Sequence, residues 1–160
     1  MTPHIIAATV ALSVAVLSPS ATAANAWEGA PSRLNVKLNY LKSKNGNICV
    51  SLFSSEDGFP DDGQKASLSK CFSAQELSDG AELMLDVLST GSFALALFHD
   101  ENMDRQLNTG AFGIPLEGFA FSNNPKIRFS APKFAECAVT PADSTQTLSI
   151  DMKYFLRPLQ

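Results

Sequence analysis

Leu34, Val36, Leu38 and Tyr40 alternate with Asn35, Lys37 and Asn39. This period of two places apolar side chains on one face of an extended strand and does not fit the 3.6-residue repeat of an amphipathic helix. The spacing returns in Ile48, Val50 and Leu52, in Leu83, Leu85 and Val87, and in Leu148, Ile150, Met152 and Tyr154. Phe93 to Phe98 is apolar at every position, which predicts a central strand covered on both faces. Lys44-Asn45-Gly46 predicts a hairpin joining the first strand to Asn47–Phe53. Ser89-Thr90-Gly91 is expected to turn a third strand, Ala81–Leu88, back into Phe93–Phe98. Further strands are expected at Lys126–Phe129, Phe134–Thr140 and Thr145–Phe155. Ser54–Ser69 reads as a long loop rich in Asp, Gly and Pro, and Ser73–Leu77 as one helical or irregular turn. Six or seven strands with little helix predict an all-β chain folded as a β-sandwich.

The N-terminus carries a different signal. Ile5 to Leu17 is an apolar run too short to span a bilayer as a helix, followed by Pro19 and by the small triplets Ala21-Thr22-Ala23 and Ala24-Asn25-Ala26. Residues 1–26 are therefore read as a signal peptide cut after Ala26, with Ala23 as the alternative, although Met1 to His4 contains no Lys or Arg. The expected mature chain, 27–160, is one sandwich domain without a membrane span, periplasmic or secreted. A net charge of −4 argues against nucleic acid, whose binders neutralise phosphates with basic patches. An oxidising compartment favours one disulfide among Cys49, Cys71 and Cys137. All three pairings remain open, and Cys49–Cys71 is favoured because it ties a strand to the far end of the loop after it. There is no Cys-x-x-Cys motif.

The densest run of oxygen-bearing side chains lies between His99 and Asn124. Asp100, Asn102, Asp104, Gln106 and Asn108 occupy alternate positions, as in positions 1, 3, 5, 7 and 9 of a calcium loop. Calcium is the candidate cofactor on this spacing. Position 6 is Arg105 where such loops use Gly, position 12 is Ala111 where they use Glu, and Glu117 is the nearest substitute carboxylate. The competing reading gives these residues ordinary turn roles, bonding to nearby backbone. His99 is the only histidine outside residues 1–26. It supports two alternatives: a strand-closing residue, or a general base working with Asp100, Glu101 or Glu117. Phe112, Phe119 and Phe121 are expected to anchor the loop by burial, with the lining of a ligand cleft as the alternative.

The segments Gly91–Asn102, Phe112–Gly118 and Phe121–Asn124, with the closing Ile150–Tyr154, resemble the bacterial domain of unknown function 2141 family over nearly the whole mature chain. The family pattern Asn-Gly-Lys-Leu-Asp is replaced by Asp104-Arg105-Gln106-Leu107-Asn108. The resemblance implies an exported immunoglobulin- or transthyretin-like sandwich and carries no activity. The expected function is a non-enzymatic module that binds an envelope or extracellular partner or ligand. Its contacts are expected from His99, Asp100, Glu101, Asn102, Glu117, Asn123 and Asn124. The alternative is a periplasmic hydrolase or lyase built on His99 and Glu117.

Overall fold

The computed structural model describes residues 32–77, 82–87, 91–128, 130–141 and 145–155. The expected signal peptide lies outside these residues. Among the described residues seven strands form two sheets: β1 (Ser32–Asn39), β2 (Asn47–Phe53), β3 (Leu68–Ser73), β4 (Glu82–Val87), β5 (Ala94–Asp100), β6 (Gly118–Phe121) and β7 (Thr145–Asp151). One sheet has the order β4-β1-β7 and the other β3-β2-β5-β6, packed as the expected sandwich. β1 and β7 run parallel, and the other strand pairs run antiparallel.

The alternation read from the sequence sets the core. Leu34, Val36 and Leu38 of β1, Leu83, Leu85 and Val87 of β4, and Ile150 of β7 meet Ile48, Val50 and Leu52 of β2 and Leu95 and Leu97 of β5. Each fully buried aliphatic side chain of this kind is worth roughly 1.5–3 kcal/mol. β5 lies between β2 and β6, and its second face is also covered. There Ala94, Phe119, Phe121 and Cys137 pack with Phe59 and Phe134 on the outer side of the sheet. Phe59, whose ring stands 5.4 Å from Phe53 and 5.8 Å from Phe134, draws the 54–67 connection onto that face. Burial pushes the Cys137 thiol up to about 11, as suits a packed, unreactive sulfur.

Several local expectations gave way to packing. The Asn45-Gly46 turn does not close a hairpin, because β1 and β2 belong to opposite sheets. β4 and β5 are likewise split between sheets. Tyr40 ends the first strand with a φ of 60° and turns outward, leaving the inward face to Leu38. Cys71 sits in a strand, β3, where a loop was expected to run to Ser69. It pairs directly across from Cys49, and the two form the disulfide. Residues 126–128 form no strand, and Phe129 lies outside the described residues. Phe134–Cys137 is a helical turn, closed by the Glu136 carboxylate accepting the Lys133 N–H at 2.7 Å. The turn sends Phe134 and Cys137, three residues apart, to the same apolar face. Only Val139 of that segment pairs, with Phe93.

One side of the sandwich is sealed. Phe119 and Lys153 exchange backbone hydrogen bonds between β6 and the chain beyond β7. Asn124 accepts the Asp151 N–H through Oδ1 and donates through Nδ2 to the Ser149 carbonyl, taking the place of a strand partner. Asn123 donates to the Ala138 carbonyl. Both asparagines adopt positive φ and act as covers for backbone.

Candidate functional site

The 99–124 stretch, expected from the sequence as one long ordered loop on the β scaffold, is a shorter connection than that span. β5 takes its first two residues and β6 its Gly118–Phe121 segment, leaving a 101–117 connection within a β5–β6 hairpin. Phe119 and Phe121 anchor it by burial, as expected.

His99 continues the inward face of Leu95 and Leu97 and is fully buried. Its Nε2 stands 2.7 Å from the Asn45 carbonyl oxygen, which can only accept, so the hydrogen resides on Nε2. Nδ1 then accepts the Tyr154 hydroxyl at 2.7 Å, and that hydroxyl oxygen accepts the Lys42 N–H. Burial pushes the Tyr154 phenol up to about 12, which keeps its proton in place for His99. Both imidazole nitrogens are thus committed to the β1–β2 connection and the C-terminal tyrosine. No carboxylate is hydrogen-bonded to the ring among the described residues.

Two buried carboxylates clasp the connection at its base. Asp100 accepts the Asp104 N–H on Oδ1 and the Arg105 N–H on Oδ2, each at 3.0 Å. Glu117 accepts the Glu101 N–H on Oε1 and the Asn108 N–H on Oε2. Charge-assisted bonds of this kind are the stronger class, and here every carboxylate oxygen serves loop backbone. Glu101 faces the β1–β2 connection, accepting the Ser43 hydroxyl at 2.8 Å and lying 3.8 Å from the Lys42 ammonium.

Beyond the clasp, Asn102, Asp104 and Asn108 bond to one another on the surface. The Asn108 amide, the Gln106 N–H and the Asn102 amide hold the Asp104 carboxyl below its usual value. That contribution is complete above pH 3.8 and is lost as pH falls through the lowered value. Among the described residues no three His, Cys, Asp or Glu side chains gather as a metal-holding set. The oxygens of Asp100, Asp104 and Glu117 are aimed at N–H groups. Gln106 contributes its backbone N–H to this cluster.

Met103 and Arg105 have φ values of 64° and 63°. The missing glycine of the family pattern therefore falls on a left-handed position, where a β-carbon carries a penalty. Arg105→Gly is expected to raise stability by roughly 0.5–1 kcal/mol, read as a higher denaturant midpoint at unchanged slope.

The far half of the connection is a miniature hairpin. Leu116 donates to the Asn108 carbonyl, Thr109 bridges Pro115, and Gly110 donates to the Ile114 carbonyl. Its tip, Ala111–Gly113, holds Phe112 at a φ of 60° with the side chain 100 % exposed. Phe112 was expected to anchor the loop and instead projects from it. Met103, Leu107, Ile114 and Leu116 are also exposed on this connection. Sequence reasoning missed this apolar display because an apolar residue in a loop reads as an anchor unless the backbone direction is known.

The model of a bacterial family described as "Uncharacterized protein conserved in bacteria (DUF2141)" matches residues 36–149. No curated protein and no solved structure matches the chain. No helix among the described residues is long and apolar enough to cross a membrane.

Proposed function

Since this chain belongs to the uncharacterised bacterial DUF2141 family and folds as a β-sandwich, we propose that it is an exported, non-enzymatic single-domain binding module. It acts in the periplasm or outside the cell and engages an envelope or extracellular ligand or partner through the 101–117 rim. One observation carries this reading: an exposed apolar tip, with Phe112 at its apex, stands on a base clasped by buried Asp100 and Glu117. A mobile loop would lose ordering entropy on binding, and a clasped one has already met most of that cost in folding. His99, Asp100, Glu101, Asn102 and Glu117 then serve to hold the rim in shape, and the contact passes to the apolar residues beyond them. Asn123 and Asn124 secure the neighbouring edge. A solitary exposed phenylalanine is ordinary, but five large apolar side chains on one connection fit a contact surface better than a solvated one.

The test is photo-crosslinking in cells that export the chain, with a photoreactive residue placed at Phe112 or, on the opposite sheet, at the exposed Met84. Adducts in the envelope or medium that form from position 112 and not from 84 are the expected result. An absence of adducts from 112, or the same pattern from both positions, would remove the rim from the account.

A further inference from the structure

The miniature hairpin is graded from tip to base. Gln106 to Leu116 contains no charged residue, whereas the other long connection, 54–67, carries Glu56, Asp57, Asp61, Asp62 and Lys65. Phe112 occupies the apex, exposed Ile114 follows it, and exposed Leu107 and Leu116 lie nearer the base. Asp104 and Arg105 are confined to the clasped end, where their N–H groups bond Asp100.

Two features of the tip suit an apolar medium. Phe112 holds a φ of 60°, which costs a bulky residue free energy, and being 100 % exposed it gains no burial in return. Folding therefore gives no reason for a phenylalanine beside Gly113, and a contact outside the chain does. The backbone of the tip is also largely self-contained. Gly110 donates to the Ile114 carbonyl, Gly113 to Gly110, Ile114 to Ala111 and Leu116 to Asn108, and Pro115 has no N–H to satisfy. Lipid demands such internal pairing, because it offers the backbone no hydrogen bonds.

The surrounding charges are of both signs. Asp61, Asp62, Lys70, Arg105 and Arg128 line the groove beside the hairpin, so neither sign dominates there. With a net charge of −4 on the whole chain, this side matches a zwitterionic surface better than an anionic one.

From this grading we propose that the hairpin inserts, Phe112 first, into the surface of a zwitterionic phospholipid bilayer. An extended arm from Asn108 to Phe112 is at most about 13 Å long, enough for the roughly 5–10 Å depth of an interfacial anchor and too short to span. The assignment rests on the rim being a binding surface and names what that surface meets.

The experiment uses the full chain, produced through an export pathway with its disulfide formed. Trp27, the only tryptophan, is replaced by Phe, and a reporter is introduced as Phe112→Trp or, on the opposite sheet, as Met84→Trp. Phosphatidylcholine vesicles should shift the emission of the Phe112→Trp protein to the blue, brominated acyl chains should quench it, and molar salt should change neither effect. The Met84→Trp protein should show neither. Phe112→Gly should lose about ten-fold or more in vesicle affinity, with a urea midpoint no lower than the parent's, which separates a lost contact from a lost fold. Absence of the blue shift and quenching at position 112 overturns the proposal, as do equal effects at position 84 or unchanged vesicle binding by Phe112→Gly. Binding confined to anionic vesicles and abolished by salt overturns it as well. If vesicles fail while crosslinking from position 112 captures a protein, the occupant is wrong and the rim reading stands. If both fail, both fall.

Discussion

Gly46→Ala is expected to cost on the order of 4 kcal/mol, enough to leave a domain of ordinary stability largely unfolded near physiological temperature. Gly46 holds a φ of +72°, and a β-carbon there would stand 2.0 Å from the Asp100 carbonyl oxygen and 2.7 Å from the Glu101 α-carbon. Both atoms are backbone, so no side chain can swing away, and relief requires the β1–β2 connection to separate from the end of β5. That separation would also pull the Asn45 carbonyl from His99 Nε2. The loss combines overpacking with the left-handed penalty, each worth about 1–3 kcal/mol. Urea unfolding of parent and variant measures it, with Gly91→Ala as the control. A β-carbon at Gly91 meets nothing within 4 Å, so that change should stay within about 0.5 kcal/mol. A Gly46→Ala protein as stable as the control would mean that the two segments do not meet this closely.

Asp100→Ala is expected to cost on the order of 3 kcal/mol, because it removes a buried acceptor from two N–H groups at once. The Arg105 amide loses its partner at the foot of the connection, and the Asp104 amide keeps only the Asn102 side-chain oxygen at 3.1 Å. Asp100→Asn should fall between variant and parent, since its amide presents one oxygen to one N–H and turns an NH2 toward the other. Hydrogen exchange gives the local readout: the amides of 104 and 105 should be protected in the parent and exchange faster in both variants, ahead of the β5 amides. A calcium arm completes the experiment. With every Asp100 oxygen already engaged, the parent should melt at the same temperature in millimolar calcium and in chelator. A rise of several degrees in calcium, abolished by Asp100→Asn, would instead establish a metal loop.

These two variants act on one junction from opposite sides. Gly46 lets the β1–β2 connection lie against the end of β5, and Asp100 organises what leaves that end. His99 is the third part, a buried imidazole joining the carbonyl of Asn45 to the hydroxyl of Tyr154. Sequence alone could not choose between a structural and a reacting histidine, because the imidazole has the same composition in both. The choice depends on what its two nitrogens meet, and here they meet residues 54 and 55 positions away along the chain. Glu117 shows the same limit from the other direction. Its distance in sequence from Glu101 and Asn108 hid its role as their common acceptor, until the β5–β6 pairing returned it to the base of the loop.

The inward faces of β1, β2, β4 and β7 were legible in the linear chain, because side-chain alternation is a property of each strand by itself. The central place of β5 was legible for a similar reason, as a segment apolar on both faces must be covered twice. The favoured Cys49–Cys71 bridge also held. What the chain could not declare was which strands share a sheet. Asn45-Gly46 satisfies hairpin chemistry locally, yet β1 and β2 face one another across the core, since turn propensity weighs about 1 kcal/mol against the burial of two apolar faces. Phe134–Thr140 alternates well enough for a strand, but a helical turn brings Phe134 and Cys137 together on one apolar patch. At the rim, the sequence determined which polar groups and aromatics the connection carries. Only the tertiary structure decided that its carboxylates turn inward to backbone N–H groups and that Phe112 turns out, because direction is set by the left-handed turns at Met103, Arg105 and Phe112 and by the strands that clamp their ends.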